Sequence, residues 1–203
     1  MVKRRININL VKIISFISLL SFLIPIMCSY PRDLREIFEV VSPEYVKQIN
    51  YIRKQPPFKI TAPEGWYVAL NKDEVEKAGE PRAVFCKYHP GPYLARGNFG
   101  FPFIEVKFWP NPENKSSLMW ADDIVSEMRR KGMEGISAPE AIQVKNYKGA
   151  HFTLPHPSGL YVSDSYIFEG EGYFVSIITY YEPGKSIATE TKEVIDSIDF
   201  SGL

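Results

Sequence analysis

Residues Leu160 to Phe200 restrict the fold more than any other stretch of the chain. Two aromatic-rich runs, Leu160–Phe168 and Tyr173–Tyr181, are separated only by Glu169-Gly170-Glu171-Gly172. Runs of Tyr, Phe, Ile and Val suit strands, and a short Gly-containing link between two of them suits a β-hairpin. Pro183-Gly184 then breaks the chain. From Ser186 to Ser197 the apolar residues recur at helical steps. A long hairpin followed by an amphipathic helix predicts a sheet with a helix laid on one face.

The remaining segments fit that plan. Phe58–Thr61 reads as a short strand, followed by a sharp turn at Pro63-Glu64-Gly65 and a large apolar anchor at Trp66. Ala83–Tyr88 and Phe103–Trp109 alternate apolar and polar residues, as half-buried strands do. Leu118, Ala121, Val125 and Met128 predict a helix over Ser117–Lys131, with Asp122 and Asp123 near its start and Arg129 to Lys131 at its end, matching the helix dipole. Gly132 follows as its cap. Ala141–Asn146 and Ala150–Leu154 predict another hairpin. Leu34, Ile37, Phe38 and Val41 lie at helical spacing, and Ser42-Pro43-Glu44 reads as a helix start. The expectation is an α+β domain: an α/β/α sandwich around a central, mainly antiparallel sheet of six or seven strands. Residues 57–203 form it, residues 30–56 form an N-terminal helical preface, and residues 1–28 form a signal peptide or membrane anchor.

That last assignment rests on charge and hydropathy. Lys3, Arg4, Arg5 and Lys12 precede an almost wholly apolar run, Ile13–Met27. A basic start and a short apolar stretch make a secretory signal, and the run is shorter than the roughly 20 residues that span a bilayer comfortably. Cys28 stands where a lipoprotein carries its lipidated cysteine, although Met27 replaces the usual small residue before it. Past the signal, 20 basic residues face 24 acids, and no basic stripe of the kind that holds phosphates is present, so a nucleic-acid partner is not expected. The predicted location is extracytoplasmic, in the periplasm or cell envelope, either soluble or anchored through the N-terminal segment or a lipidated Cys28. Cys86, in an alternating apolar run, reads as a small buried hydrophobe.

Catalytic signatures are not written in the chain. The histidines are His89, His151 and His156; none belongs to an H-E-x-x-H pattern, and no C-x-x-C is present. Ser163-Asp164-Ser165 lies within a strand run and lacks the elbow turn that a nucleophilic serine needs. Asp122 and Asp123 point about 100° apart on a helix and do not face one cleft. No Gly-rich phosphate cradle appears, and no cofactor is expected. Asn114-Lys115-Ser116 is a formal glycosylation sequon. Two loops hold the remaining candidates. His89–Pro102 is rich in Gly and Pro and carries Tyr93, Arg96 and Phe99, residue types that anchor protein interfaces. His89 and His156 each precede a proline at the end of a strand run, so loops meeting at one end of the sheet would offer a metal or polar-ligand site.

Four places resemble the PsbP-like superfamily, which includes the photosystem II extrinsic subunit, small bacterial exported or lipoprotein relatives, and a nuclear-transport factor that binds Ran. They are Phe58–Trp66, the helix around Ala121–Arg130, Lys148-Gly149-Ala150-His151-Phe152 with Tyr166-Ile167-Phe168-Glu169, and Gly172-Tyr173-Phe174 through Ile195-Asp196-Ser197-Ile198-Asp199-Phe200. The resemblance implies the α/β/α sandwich and a non-enzymatic role in binding a partner or helping to assemble it. The leading functional expectation is therefore an exported accessory protein that acts on a protein partner in the cell envelope. The alternatives are a metal or small-ligand binder using the His-bearing loops, and a small extracytoplasmic hydrolase.

Overall fold

A computed structural model describes residues 33–45, 48–54, 57–73 and 78–201. By contact the chain divides into Met1–Tyr30 and Pro31–Leu203. The first unit, with Cys28, lies outside the described residues, and the fold below is that of the second.

The strands are β1 (Phe38–Val41), β2 (Asn50–Lys54), β3 (Pro57–Thr61), β4 (Tyr67–Asn71), β5 (Pro81–Cys86), β6 (Phe103–Pro110), β7 (Glu140–Val144), β8 (Tyr147–Pro155), β9 (Val162–Gly170) and β10 (Tyr173–Tyr181). The helices are α1 (Gly91–Leu94, one turn), α2 (Ser117–Arg130) and α3 (Ala188–Asp196). Eight strands form one antiparallel sheet in the order β1-β4-β5-β6-β10-β9-β8-β7, and β2 pairs with β3 separately. The α+β class is as expected, with a larger main sheet than the six or seven strands read from the sequence.

The helical preface is corrected by the described residues. Two short 3-10 turns, Leu34–Glu36 and Pro43–Tyr45, flank β1, and Asn50–Lys54 is a strand. Val40 and Val41 are β-branched and lose rotamer freedom in a helix, whereas β4 offers this segment a full ladder from Phe38↔Asn71 to Val41↔Val68. Strand β4 is too short to show a period of its own, with only five residues between the Trp66 turn and Lys72.

Strand parity sorts the core. One face presents Val68, Phe85, Ile104, Val106, Phe108, Phe168, Val175 and Ile177. This face carries α3, through Val194 and Ile195, and the β2–β3 hairpin, through Phe58 and Ile60. The opposite face carries α2: Trp120 stacks on Phe174 with ring centroids 4.6 Å apart. Central strands β6 and β10 are therefore covered on both sides and read as continuous buried runs rather than alternating ones. Each fully buried Phe contributes roughly 1.5–3 kcal/mol relative to exposure.

The helix ends follow from local chemistry. Ser116 Oγ accepts the Met119 N–H at 3.2 Å, and the Ser117 N–H donates to Glu169 Oε1 at 2.7 Å, tying the start of α2 to β9. Gly132 follows α2 at φ 83°, where a residue without a Cβ is favoured. Past α3, Ser197 Oγ accepts the Thr61 N–H at 2.9 Å, and Asp199 bridges to Lys59. The C-terminal segment thus fastens the β2–β3 hairpin to the body.

Candidate functional site

The two loops singled out in the sequence leave the same end of the sheet. Cys86 pairs with Phe103, Phe103 with Tyr180, Tyr181 with Val162, and Val162 with Pro155. Segment 87–102 and segment 156–161 are therefore neighbours. Aromatic contacts lock them: Phe101 lies 5.0 Å from Tyr161, and both approach the Phe103–Tyr180 stack at 5.5 and 5.7 Å. His156 extends the series by stacking on Tyr161 at 4.1 Å. Burial pushes the Tyr161 phenol up to about 12, so it stays protonated and apolar in character.

Within segment 87–102, Pro90 opens the α1 turn, and the chain then folds back on itself. Gly100 has φ 72°, and a Cβ there would meet the Tyr93 ring at 2.7 Å. Tyr93 is accordingly half-buried across the loop. Phe99 is buried, edge-to-face on Phe38 at 5.1 Å, and belongs to the core rather than to the outer surface. Arg96 is exposed. So of the three candidate anchors, Arg96 faces solvent and Tyr93 does so in part.

Residues not singled out in the sequence complete this end. Leu160 is 68% exposed and Tyr88 is 53% exposed, each on one of the two loops. Their prominence comes from the turn geometry, which periodicity does not report.

The histidines are spoken for locally. His89 Nδ1 accepts the Gly91 N–H at 3.1 Å, and its ring meets Tyr67 edge-on at 5.1 Å. His156 Nδ1 accepts the Ser158 N–H at 3.2 Å and lies 2.6 Å from Ser158 Oγ. The proton of its neutral ring therefore sits on Nε2, which is buried without a hydrogen-bond partner. Burial lowers the His156 pKa, which keeps the ring neutral. A Ser–His pair used as a nucleophile also needs a third group to orient the base, and none meets Nε2. Among the described residues, no three His, Cys, Asp or Glu side chains are arranged to hold a metal ion.

Two further polar groups lie on the sheet. On β6, Glu105 and Lys107 pair at 2.7 Å with side chains only 10% and 7% exposed, and Tyr180 donates to Glu105 Oε2 at 3.0 Å. Near the β7 edge, His151 bridges Glu140 and Asp164 at 2.9 and 3.3 Å. Ser163 and Ser165, flanking Asp164, are buried on the opposite face. Cys86 is a buried free thiol whose pKa burial pushes up, as suits a core residue. A cleft of about 350 Å³ at the far end of β6 is lined by Arg53, Phe108, Trp109, Glu171 and Tyr173, among others. The Arg53 guanidinium carbon lies over the Phe108 ring, 4.1 Å from its centroid.

No protein-family model matches the sequence, and no curated protein matches it. Among solved structures, the chain is similar to a crystal structure from Bacteroides thetaiotaomicron VPI-5482. That match has a TM-score of 0.44 and 13% identity, and covers 76% of this chain and 48% of that one; the chain thus spans about half the length of that structure. It is also similar to the solution structure of cyanobacterial PsbP (CyanoP) from Synechocystis sp. PCC 6803. Here the TM-score is 0.47 and the identity 11%, with 75% of this chain and 92% of that one covered.

Proposed function

We propose that this chain is an exported, non-enzymatic binding or accessory protein whose contact surface is the loop end of the sheet. The observation that carries the reading is that Leu160 and Tyr88, both large and exposed, stand on the two loops that leave this end of the sheet, the Tyr88 loop also holding the exposed Arg96. Aromatic residues and arginine are the favoured anchors of protein interfaces. The ring contact of Phe101 with Tyr161 holds the two loops in one arrangement before any partner arrives, which lowers the ordering cost of binding. Tyr93 adds half-buried aromatic surface at the rim. With α2 and α3 on opposite faces, we read the body as an α/β/α sandwich serving as the scaffold for this end.

Export rests on the basic start and the short apolar run before Cys28, with that segment as a cleaved signal, an anchor or a lipidation site. No helix among the described residues is long and apolar enough to cross a membrane. The partner we propose is a protein of the cell envelope.

A photocrosslinking residue placed at 88 or 160, and at exposed position 143 on β7 as control, tests the reading in cells. Crosslinks to one common protein from 88 and 160 but not from 143 are expected. Leu160→Glu with Tyr88→Glu should weaken capture of that protein by about tenfold or more. Equal crosslinking from all three positions, or none from the loop end, overturns the proposal. The mass of the mature chain in membrane and soluble fractions reports cleavage and lipidation at Cys28 in the same preparation.

A further inference from the structure

The outermost strand of the sheet, β7, is tied inward by a line of polar side chains crossing four strands. Glu140 on β7 stands opposite His151 on β8 in the register. His151 Nδ1 lies 2.9 Å from Glu140 Oε1, and its Nε2 lies 3.3 Å from Asp164 Oδ1 on β9. Thr153 Oγ1 donates to the same Asp164 oxygen at 2.6 Å, and the Tyr181 hydroxyl of β10 donates to the other at 2.8 Å. The imidazole lies on the Tyr166 ring, centroids 4.5 Å apart and nearly parallel. Helix α2 covers the opposite face of β8, where Ala150 and Phe152 are buried, so its charges do not face the ring.

We propose that the Glu140–His151–Asp164 bridge is a pH-sensitive clamp on edge strand β7, closed in acid and open in mild alkali. The chemistry is a count of donors. A protonated imidazole has an N–H on each side and satisfies both carboxylates; a neutral one has a single N–H. Asp164 is the more enclosed partner, its side chain 19% exposed against 69% for Glu140. The remaining proton therefore stays on Nε2, toward Asp164, the carboxylate with less water to replace that donor. The Nδ1 lone pair then faces the Glu140 carboxylate, which turns out to solvent. The start of β7 loses its side-chain tie. Ser137 just before it, hydrogen-bonded to Thr153, and the half-buried Ile142 and Val144 after it stay in place.

The electrostatics run in the same direction. The hydrogen bond to Asp164, aided by Glu140, raises the His151 pKa against the opposing effect of burial. A raised histidine contributes stability that is complete below its ordinary value of about 6.5 and is lost as pH climbs through the raised value. Burial acts to raise Asp164, but hydrogen bonds from His151, Thr153 and Tyr181 outweigh it and hold the carboxyl below its ordinary value. The clamp therefore survives into acid and opens on the alkaline side.

Amide hydrogen exchange of the full chain, expressed as protection factors between pH 5.5 and 8.5, tests this directly. Residues 140–142 should lose protection by about threefold to fivefold across that range while Ile167 and Phe168 stay level, a size set by one half-exposed ion pair. Glu140→Gln changes an exposed side chain and leaves the fold intact; it should make β7 insensitive to pH. An NMR titration of the His151 ring should give a midpoint above that of an ordinary histidine, falling in Asp164→Asn. Level protection of β7 in the wild-type chain, or an unchanged pH response in Glu140→Gln, overturns the clamp.

Discussion

Two charged groups occupy the same sheet under different conditions. Glu105 and Lys107 sit two residues apart on central strand β6, enclosed on both faces. Glu140, His151 and Asp164 run across the β7 edge, where one end of the line meets water. In the central pair, removing either side chain leaves the other charge buried without its ionic partner. The edge line has an outlet, because Glu140 can exchange its partner for solvent at little cost. Depth in the sheet therefore separates a fixed ion pair from a responsive one, although the donors and acceptors are of the same kinds.

The comparison breaks first at its centre. Lys107→Met should destabilise the domain by about 3–5 kcal/mol, because it strands the Glu105 carboxylate beside Tyr180. Urea unfolding followed by fluorescence reads the loss. Adding Glu105→Leu to the same chain should recover part of it, since the two apolar groups need no partner while the Tyr180 hydroxyl loses its acceptor. Additive losses in the double variant would mean that the pair contributes as two separate side chains.

Much of this architecture was legible in the sequence where periodicity and termini agreed. Helix α2 was bounded by the steps of Leu118, Ala121, Val125 and Met128 and by Gly132, and its observed span differs from the expected one by a single residue. The β9–β10 hairpin was legible because aromatic and β-branched residues fill both strands around a Gly-containing turn. The N-terminal strands were not, because Leu34, Ile37, Phe38 and Val41 satisfy helical spacing equally well. Only the partner ladder offered by β4, a non-local fact, decides for a strand. The loop end was legible in part. Pro and Gly density marked both loops, but the burial of Phe99 and the exposure of Leu160 depend on tertiary contacts that no local pattern encodes. The His151 line was missed for the same reason: its members are distant in sequence, and only the β7–β8–β9 registers bring them together.

Moving outward, Asp164→Asn should cost roughly 1–3 kcal/mol, the price of weakening a carboxylate that accepts three hydrogen bonds. The loss should be largest at mildly acidic pH, where His151 carries its proton and Asp164 does not. It should shrink as pH rises through the raised His151 value, because the neutral ring has less to gain from a carboxylate. Thermal unfolding at several pH values follows this. Thr153→Val removes a single donor to the same oxygen and should cost about 1 kcal/mol, with a weaker dependence on pH, since the hydroxyl does not titrate.

The smallest effect belongs to the outermost residue and separates the two regions most sharply. Glu140→Gln should change global stability by no more than about 0.5 kcal/mol, the usual worth of an exposed ion pair, and less still in high salt. Its effect should instead be local, confined to the start of β7 and visible in exchange rather than in unfolding. Coupling to the centre is absent in this picture: Glu140→Gln and Lys107→Met, on strands separated by β10, β9 and β8, should add without interaction. A measurable interaction energy between them would show that the edge line and the buried pair are one network, and depth alone would no longer account for their different behaviour.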